Sequence, residues 1–440
     1  MNLRTVFSSA LVLFAAAAGP AAAAAVSDAS LAAAANAAMP QVIAWRRDFH
    51  QHPELSNREV RTSQIVAEEL RKMGIEVRSG IAHTGVVGIL KGGKPGPTVA
   101  LRADMDALPV TEQVDVPFKS TATAEYRGEK VGVMHACGHD GHTAILLGAA
   151  KVLAGMRAEL PGTVMFVFQP AEEGAPDGER GGASLMLDEG LFATTKPDAM
   201  FGLHLWAGLN TGVIGYREGS MMAASDRYKL VIKGRQTHGS RPWGGVDPIV
   251  TAAQVIMSLQ TIVSRQVDIT RYPAVVSVGA IKGGIRNNII PDSVEMVGTF
   301  RTFDPSVRTQ VIESIKRIAS DVAASQGATA EFELGGDPNP VLVNDAALTA
   351  RAVASLQRIS GPDNVNVIPF VTGSEDFAYY GKTVPSFFYF VGVTPNGQDA
   401  SAAPSNHSPK FFVDEGALPV ALKTLVGAAV DFLQQGVKPN

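Results

Sequence analysis

Hydrophobic positions divide the chain into alternating helix-like and strand-like segments. Residues 41–73 have helical spacing that ends at Gly74, and residues 142–156 form a second, largely apolar helical segment. Short apolar runs typical of buried strands lie at 86–90, 99–103, 164–168 and 200–206. Because these runs show no strict alternation of polar and apolar residues, we predict an α/β fold whose mixed sheet has helices on both faces.

The order of segments changes at about residue 216. The pattern there predicts strands at 223–233, 275–280, 293–302 and 328–334, and helices at 246–266 and 305–326. This βαββαβ order is the signature of a ferredoxin-like, split-βαβ domain. A helix at 345–358, a strand at 385–391 and a helix at 415–435 follow. We therefore predict a larger domain, residues 38–215 and 335–436, that is interrupted by an inserted domain, residues 216–334.

The N-terminal segment differs in composition from the rest of the chain. Arg4 precedes an apolar run at 6–18, which Gly19, Pro20 and a row of alanines to Ala25 follow. This pattern is typical of a secretory signal peptide, residues 1–25, and its apolar core is short for a membrane span. The alternative is an uncleaved anchor or an alanine-rich helix. We expect an exported protein, periplasmic or secreted, with no membrane association after cleavage.

Composition excludes several classes of partner. Of 440 residues, 46% are hydrophobic and 18% charged, which is ordinary for a globular protein, and the net charge is −4. Without a basic run, no nucleic-acid partner is expected. The single cysteine, Cys137, cannot form an internal disulfide. It packs as a small apolar residue, stays a free thiol or binds a ligand.

The densest chemical cluster is the segment 134–142, which contains three of the nine histidines and Cys137. A Cys-x-His pair, Cys137 and His139, offers a thiolate and an imidazole, both good ligands for divalent metal ions. Such a cluster in a loop broken by glycines indicates a site.

Glu172 and Glu173 follow the strand at 164–168. Consecutive side chains of an extended segment point in opposite directions, so one carboxylate can bind metal while the other transfers protons. The alternative for the pair is two solvated glutamates. Alone, His204 in its apolar run is typical of a core histidine, and His407 in its loop of a surface histidine. Asp106, at the end of a strand, can bind a metal or, more usefully, fix a ligand histidine through its second ring nitrogen.

Several long motifs together resemble the metal-dependent amidohydrolase and peptidase family of aminoacylase, carboxypeptidase G, hippurate hydrolase and plant auxin–amino acid conjugate hydrolases. The likeness is greatest to the hippurate and auxin-conjugate branch and extends over residues 38–435. The matching segments are RDFHQHPEL at 47–55, LRADMDALP at 101–109, MHACGHDGHT at 134–143, FQPAEEG at 168–174, the segment 238–248, NIIP at 288–291 and GSEDFA at 373–378.

The resemblance implies a phosphorylase/hydrolase-like sheet, an inserted lid or dimerisation domain, and two divalent metal ions per subunit: zinc, manganese, cobalt or nickel. The metal ligands that it implies are Cys137, His139, Glu173, His204 and His407. It further implies that Glu172 is the general base and that Asp106 orients the metal site. His238 is expected to stabilise the oxyanion, often across a homodimer, and His238, Asn288 and Arg301 to bind substrate.

The expected activity is hydrolysis of the amide bond of N-acyl amino acids, small molecules with acetyl, benzoyl or similar acyl groups, to a carboxylic acid and a free amino acid. The alternative on the same centre is a metallo-dipeptidase or carboxypeptidase. A third hypothesis is a binding protein that has kept the fold without catalysis.

Overall fold

Two sheets of different construction organise residues 26–436, the part of the chain that a computed structural model describes. The predicted signal peptide lies outside these residues. The strands are β1 Glu76–Ile81, β2 Gly85–Lys91, β3 Lys94–Asp104, β4 Thr123–Tyr126, β5 Glu129–Gly132, β6 Pro161–Gln169, β7 Ala199–Asn210, β8 Ile214–Tyr216, β9 Gly219–Met222, β10 Ala224–Lys233, β11 Thr237–His238, β12 Ala274–Gly283, β13 Ile289–Ile290, β14 Ser293–Thr302, β15 Thr329–Asn339, β16 Leu342–Asn344, β17 Val365–Val367 and β18 Ser386–Thr394. The α-helices are α1 Asp28–Gln51, α2 Val60–Lys72, α3 His139–Gly155, α4 Gly182–Asp188, α5 Pro248–Thr261, α6 Pro305–Ser325, α7 Ala346–Ser360, α8 Ala378–Gly381 and α9 Leu418–Gln435.

The larger sheet has eight strands in the order β1-β2-β6-β3-β7-β18-β8-β17. Its four central strands, β6, β3, β7 and β18, are parallel, and antiparallel pairs flank them. One face packs on α1, α3 and α9, and the other on α4 and α8. Strand side chains alternate between these two buried faces, which explains the continuous apolar runs in the sequence. The predicted α/β class with a mixed sheet is confirmed.

The smaller sheet is fully antiparallel in the order β12-β14-β10-β15. α5 and α6 bury their apolar sides on it, and together they enclose a separate core. In chain order the elements read β10, α5, β12, β14, α6 and β15, the predicted ferredoxin-like βαββαβ unit. The sheet runs from Ala224 to Asn339.

The prediction of one helix over 41–73 is wrong. The structure has two helices, α1 and α2, separated by residues 52–59. Pro53 explains the break, because a proline disfavours helical backbone at the residue before it, here His52 with φ −127° and ψ 58°. α1 also begins earlier than predicted, behind a capping box of Ser27 and Ser30.

The C-terminal helix α9 is the most hydrophobic helix of the larger domain. With the turn before it, Glu415–Gln435 is long and apolar enough to cross a membrane, as no other helix of residues 26–436 is. However, 72% of its apolar window is buried inside the fold, where it packs on α1, α3 and α7. Core packing accounts for its composition.

The central strands also determine where polar side chains meet. β3 ends at Asp104 and β6 at Gln169, while His204 lies near the middle of the longer β7, two residues beyond Gly202, which pairs with Arg102 of β3. Parallel strands bring their carboxyl ends to one edge of the sheet, which is where ligand sites form in such folds. α3 begins at His139 over the same edge.

Candidate metal centre

Five ligand-type side chains converge at this edge of the sheet. Their ligand atoms form two groups, each within 4.8 Å: Cys137 with His139 and His204, and Cys137 with Glu173 and His407. Cys137 Sγ is 3.4 Å from His204 Nε2, and Glu173 Oε1 is 2.9 Å from His407 Nε2. Because Cys137 belongs to both groups, the arrangement offers two neighbouring positions for cations with one shared sulfur.

The loop before α3 turns so that the side chains of Cys137 and His139 both point into the ligand cluster. Gly138 between them has φ +92°, a left-handed conformation that favours glycine. A Cβ at this position would lie 3.3 Å from the Leu205 Cβ, so space as well as conformation selects glycine. His139 is then the first residue of α3, and Cys137 lies just before it.

The polar atoms of this cluster suit a cation better than they suit one another. His139 Nε2 is buried and makes no hydrogen bond within residues 26–436; the carboxylate oxygens of Asp104 and Glu173 lie 3.7 and 3.9 Å away. Buried polar atoms are normally hydrogen-bonded, so this nitrogen calls for a partner such as a metal ion. Sulfur, imidazole and carboxylate together suit zinc, cobalt, nickel or manganese.

His204 presents one defined nitrogen to the cluster. Its Nδ1 lies 2.8 Å from the Leu205 carbonyl oxygen and donates a proton to it. The Nε2 lone pair is then directed at Cys137. A carbonyl that fixes the tautomer in this way is the usual companion of a metal-binding histidine.

Asp106 holds several parts of the cluster at once. One oxygen accepts hydrogen bonds from Ser56 Oγ at 2.8 Å and from the Glu173 backbone N–H at 3.1 Å. The other accepts the Glu172 N–H at 3.1 Å and lies 3.3 Å from His139 Nδ1. Asp106 thus orients His139 and the segment that carries both glutamates.

Glu172 lies beside the cluster among other carboxylates. Its ligand oxygen is within 4.8 Å of those of Glu375 and Asp376, and the Asp376 N–H lies 3.4 Å from Glu172 Oε1. Burial, followed by the negative charge of Glu375, raises the pKa of Glu172 well above its ordinary value. A carboxylate in this environment takes up a proton readily, as a general base requires.

Arg102 is a functional residue that the sequence analysis missed. It is buried in β3 and makes ion pairs with Asp104 at 2.6 Å and with Glu375 and Asp376 at 2.9 Å. Asp104 in turn accepts a hydrogen bond from His142 Nδ1 at 2.6 Å, and the Leu205 N–H donates to His142 Nε2. Both nitrogens of His142 are therefore engaged. The available signal was a charged residue inside the apolar run 99–103.

Glu59 is a second missed residue. It is buried, and its oxygens accept hydrogen bonds from the Ala171 N–H at 2.9 Å and from Thr84 Oγ1 at 2.6 Å. Ala171 has φ +53°, a left-handed turn immediately before Glu172. Glu59 and Ala171 are 112 residues apart in the sequence, and no local pattern links them.

The three predicted substrate-binding residues lie on the inserted domain. His238 of β11 and Asn288, just before β13, are exposed neighbours, and the Gly239 N–H donates to the Asn288 carbonyl at 2.8 Å. Arg301 is half-buried in β14 and donates to Ser225 Oγ and Thr299 Oγ1. Within residues 26–436 of one chain, no hydrogen bond or ion pair joins these three residues to the ligand cluster.

Comparison with known proteins identifies similar sequences over most of the chain. The family model for Peptidase family M20/M25/M40 matches residues 100–431. Thermostable carboxypeptidase 2 of Saccharolobus solfataricus is 42% identical over 378 residues, 86% of this chain and 91% of the relative. N-acetylcysteine deacetylase of Bacillus subtilis is 40% identical, over 90% of this chain and 97% of the relative. IAA-amino acid hydrolase ILR1-like 2 of Arabidopsis thaliana is 37% identical, over 90% of this chain and 87% of the relative.

A solved structure is similar in fold as well as in sequence. The YXEP protein of Bacillus subtilis, described as a dinuclear metal-binding peptidase of the M20 family, is 38% identical with a TM-score of 0.77. The match covers 91% of this chain and 99% of that protein. These comparisons confirm the resemblance drawn from the sequence motifs.

Proposed function

This chain belongs to Peptidase family M20/M25/M40, whose members here include amidohydrolases and peptidases, and on that premise we propose that it hydrolyses N-acyl amino acids to a carboxylic acid and a free amino acid. The observation that carries the proposal is the convergence of Cys137, His139, Glu173, His204 and His407 beside the carboxylate of Glu172. We propose these five residues as ligands of two divalent ions.

When bound, the ions would supply Lewis acidity, which activates water and polarises the amide carbonyl. The chain's own contribution is proton transfer and orientation. Glu172 takes a proton from the attacking water and returns it to the leaving nitrogen. Asp106 keeps His139 and the Glu172 backbone in place.

The substrate assignment is supported by relatives that remove acyl groups from amino acids. One is named for deacetylating N-acetylcysteine and another for hydrolysing IAA-amino acids. The second candidate, a metallo-carboxypeptidase or dipeptidase, is favoured by the carboxypeptidase at 42% identity. The likeness of the sequence motifs to the hippurate and auxin-conjugate branch also supports the acyl substrates.

A substrate panel with a base variant tests the proposal. Metal-loaded protein should cleave N-acetyl and N-benzoyl amino acids faster than dipeptides and C-terminally extended peptides. Glu172→Gln should lower kcat at least about 10²-fold while both ions stay bound, because it removes only the proton acceptor. Turnover and metal content are measured on the same samples.

The matched control is Glu68→Gln, an exposed glutamate of α2, which should keep full activity. Faster cleavage of peptides than of N-acyl amino acids would show that the protein is instead a metallo-carboxypeptidase or dipeptidase. Near-normal turnover of Glu172→Gln would reject its role as base.

We further propose that a second copy of the chain completes the site. His238 and Asn288 are exposed on the inserted domain of one chain. In a homodimer the second copy's inserted domain would supply His238 to stabilise the oxyanion and Asn288 and Arg301 to bind the substrate. We also propose export to the periplasm or the exterior, in keeping with the signal-like segment 1–25.

A further inference from the structure

One amide side chain connects the loop 404–408, which carries His407, to two other segments of the candidate centre. Asn406 Oδ1 accepts a hydrogen bond from the Ala207 N–H at 3.1 Å. Asn406 Nδ2 donates to the carbonyl oxygens of Leu205 at 3.0 Å and Cys137 at 3.3 Å. Three chain segments, far apart in sequence, therefore meet at a single side chain.

Each of these bonds lies next to a proposed ligand. Cys137 is one itself, and Asn406 directly precedes His407. The Leu205 carbonyl that accepts from Asn406 also accepts from His204 Nδ1 at 2.8 Å, using the two lone pairs of one oxygen. Asn406 thus contacts the backbone that sets the position of three of the five ligands.

The His407 loop has few other contacts: the Ser408 N–H donates to the Ser405 carbonyl at 3.0 Å, and His407 Nε2 lies 2.9 Å from Glu173 Oε1. His407 has φ +73°, and its side chain is 56% exposed. Besides the bonds of Asn406, its own N–H donates to the Ala136 carbonyl at 2.7 Å. Because His407 is exposed and has a left-handed backbone conformation, the hydrogen bonds of Asn406 and of its own N–H help to fix its position.

We propose that Asn406 is a positioning residue that ties the backbones around Cys137, His204 and His407 into one preorganised ligand set. The inference rests on the proposed metal centre. Groups that orient metal ligands without touching the ion contribute about 10- to 100-fold to metal affinity. The amide of Asn406 has both groups that these contacts need: Oδ1 accepts from one backbone N–H, and Nδ2 donates to two backbone carbonyls.

Two substitutions separate this role from simple space filling. Asn406→Ala removes these three hydrogen bonds and the contact of Nδ2 with Cys137 Sγ at 3.9 Å. Asn406→Asp keeps the volume and the acceptor but loses the N–H donor and turns a negative oxygen toward two carbonyls. We therefore expect Asn406→Asp to bind metal no better than Asn406→Ala, although it has nearly the shape of the wild-type side chain.

Asn210 offers a matched control. Its Nδ2 also donates to three carbonyl oxygens of a neighbouring loop, those of Thr394, Pro395 and Gln398. None of these residues adjoins a proposed ligand. Asn210→Ala should loosen a loop to a similar extent without changing metal affinity.

The experiment measures zinc affinity by competition with a chelator on the full chain, together with thermal unfolding of the metal-free protein. Both Asn406 variants should bind zinc about 10- to 100-fold more weakly than wild type, with Asn210→Ala unchanged. In the unaltered protein, zinc should slow hydrogen exchange at the Ala207 N–H. If the hydrogen bond from this N–H to Asn406 strengthens zinc binding, zinc binding must stabilise that hydrogen bond to the same extent. The exchange measurement needs no variant to fold.

Wild-type affinity in Asn406→Ala, a wild-type result for Asn406→Asp, equal losses in Asn210→Ala, or unchanged exchange at Ala207 would each overturn the role of Asn406. A wild-type protein that binds no divalent ion would refute the metal centre itself. Tight binding without hydrolysis of either substrate class would refute only the proposed function.

Discussion

At the scale of single residues, the segment that carries Glu172 and Glu173 is held by its backbone. Three consecutive N–H groups, those of Ala171, Glu172 and Glu173, donate to two buried carboxyl groups, Glu59 and Asp106. Glu59 binds the residue with the left-handed conformation, and Asp106 binds the two that follow. The glutamate side chains consequently remain available for metal and proton chemistry.

Glu59 makes folding stability depend on pH. Burial, followed by the negative charge of Asp106, raises the pKa of Glu59 from 4.5 to about 8. Between these values the unfolded chain has lost this proton while the folded chain keeps it. The free energy of unfolding therefore falls as the pH rises through this window, by about 1.4 kcal/mol for each unit of pKa difference.

Glu59→Gln removes this titration while keeping an oxygen that can accept the Ala171 N–H. We expect the variant to gain stability relative to wild type, by on the order of a few kcal/mol, between pH 5 and pH 8. Urea unfolding of both proteins at the two pH values measures the difference. If the free energies of unfolding of wild type and Glu59→Gln changed equally with pH, the expectation would be contradicted. Glu68→Gln, at an exposed position of α2, serves as the control.

At the scale of elements, α5 and β12 of the inserted domain expose apolar side chains. Ile249, Val250 and Met257 of α5 are exposed, Met257 to 72%, and Ile281 lies on β12. β12 is an edge strand of its sheet and leaves one row of backbone groups unpaired. Such a surface is typical of contact with another protein, as the proposed homodimer requires.

Met257→Asp should weaken self-association, because it places a charge among the exposed apolar side chains of α5. Sedimentation velocity should show a dimer for wild type and a shift to monomer for the variant. Hydrolysis should fall with the shift if His238 comes from the second copy. Gln64→Asp on exposed α2 is the control. A wild-type protein that is monomeric at all concentrations would contradict the dimer.

At the scale of the whole molecule, the sequence predicted what composition and local chemistry determine. Buried strands such as β6 are apolar on both sides, so the sheet was evident, and the density of ligand-type residues around Cys137 indicated the centre. Arg102 and Glu59 escaped prediction because most of their partners, Glu375 and Asp376 for Arg102 and Ala171 for Glu59, are distant in sequence. Short strands such as β17 were missed because only pairing with β8 defines them.

The N-terminal end of the described chain suggests where processing can occur without loss of structure. Ser27 caps α1, Asp28 pairs with Arg358, and Leu31 is buried in the main core. Removal of residues 1–25 leaves each of these contacts intact. Removal of residues 1–38 deletes them.

We expect the chain that begins at Val26 to unfold at the same urea concentration as the intact chain. The free energy of unfolding of the chain that lacks residues 1–38 should fall by at least about 2–5 kcal/mol, the cost of losing one buried leucine. N-terminal sequencing of protein exported by a host cell should begin near Val26. A start deeper within α1, or a stability loss on removing residues 1–25, would contradict this boundary.

The lone cysteine sulfur at the middle of the cluster has a consequence for how metal binding depends on acidity. Burial, followed by the negative charge of Glu173, raises the pKa of the Cys137 thiol well above its ordinary value. A proton and a cation therefore compete for one atom, and each loading event releases acid to the surroundings. Acidification is therefore expected to weaken metal binding and neutralisation to restore it.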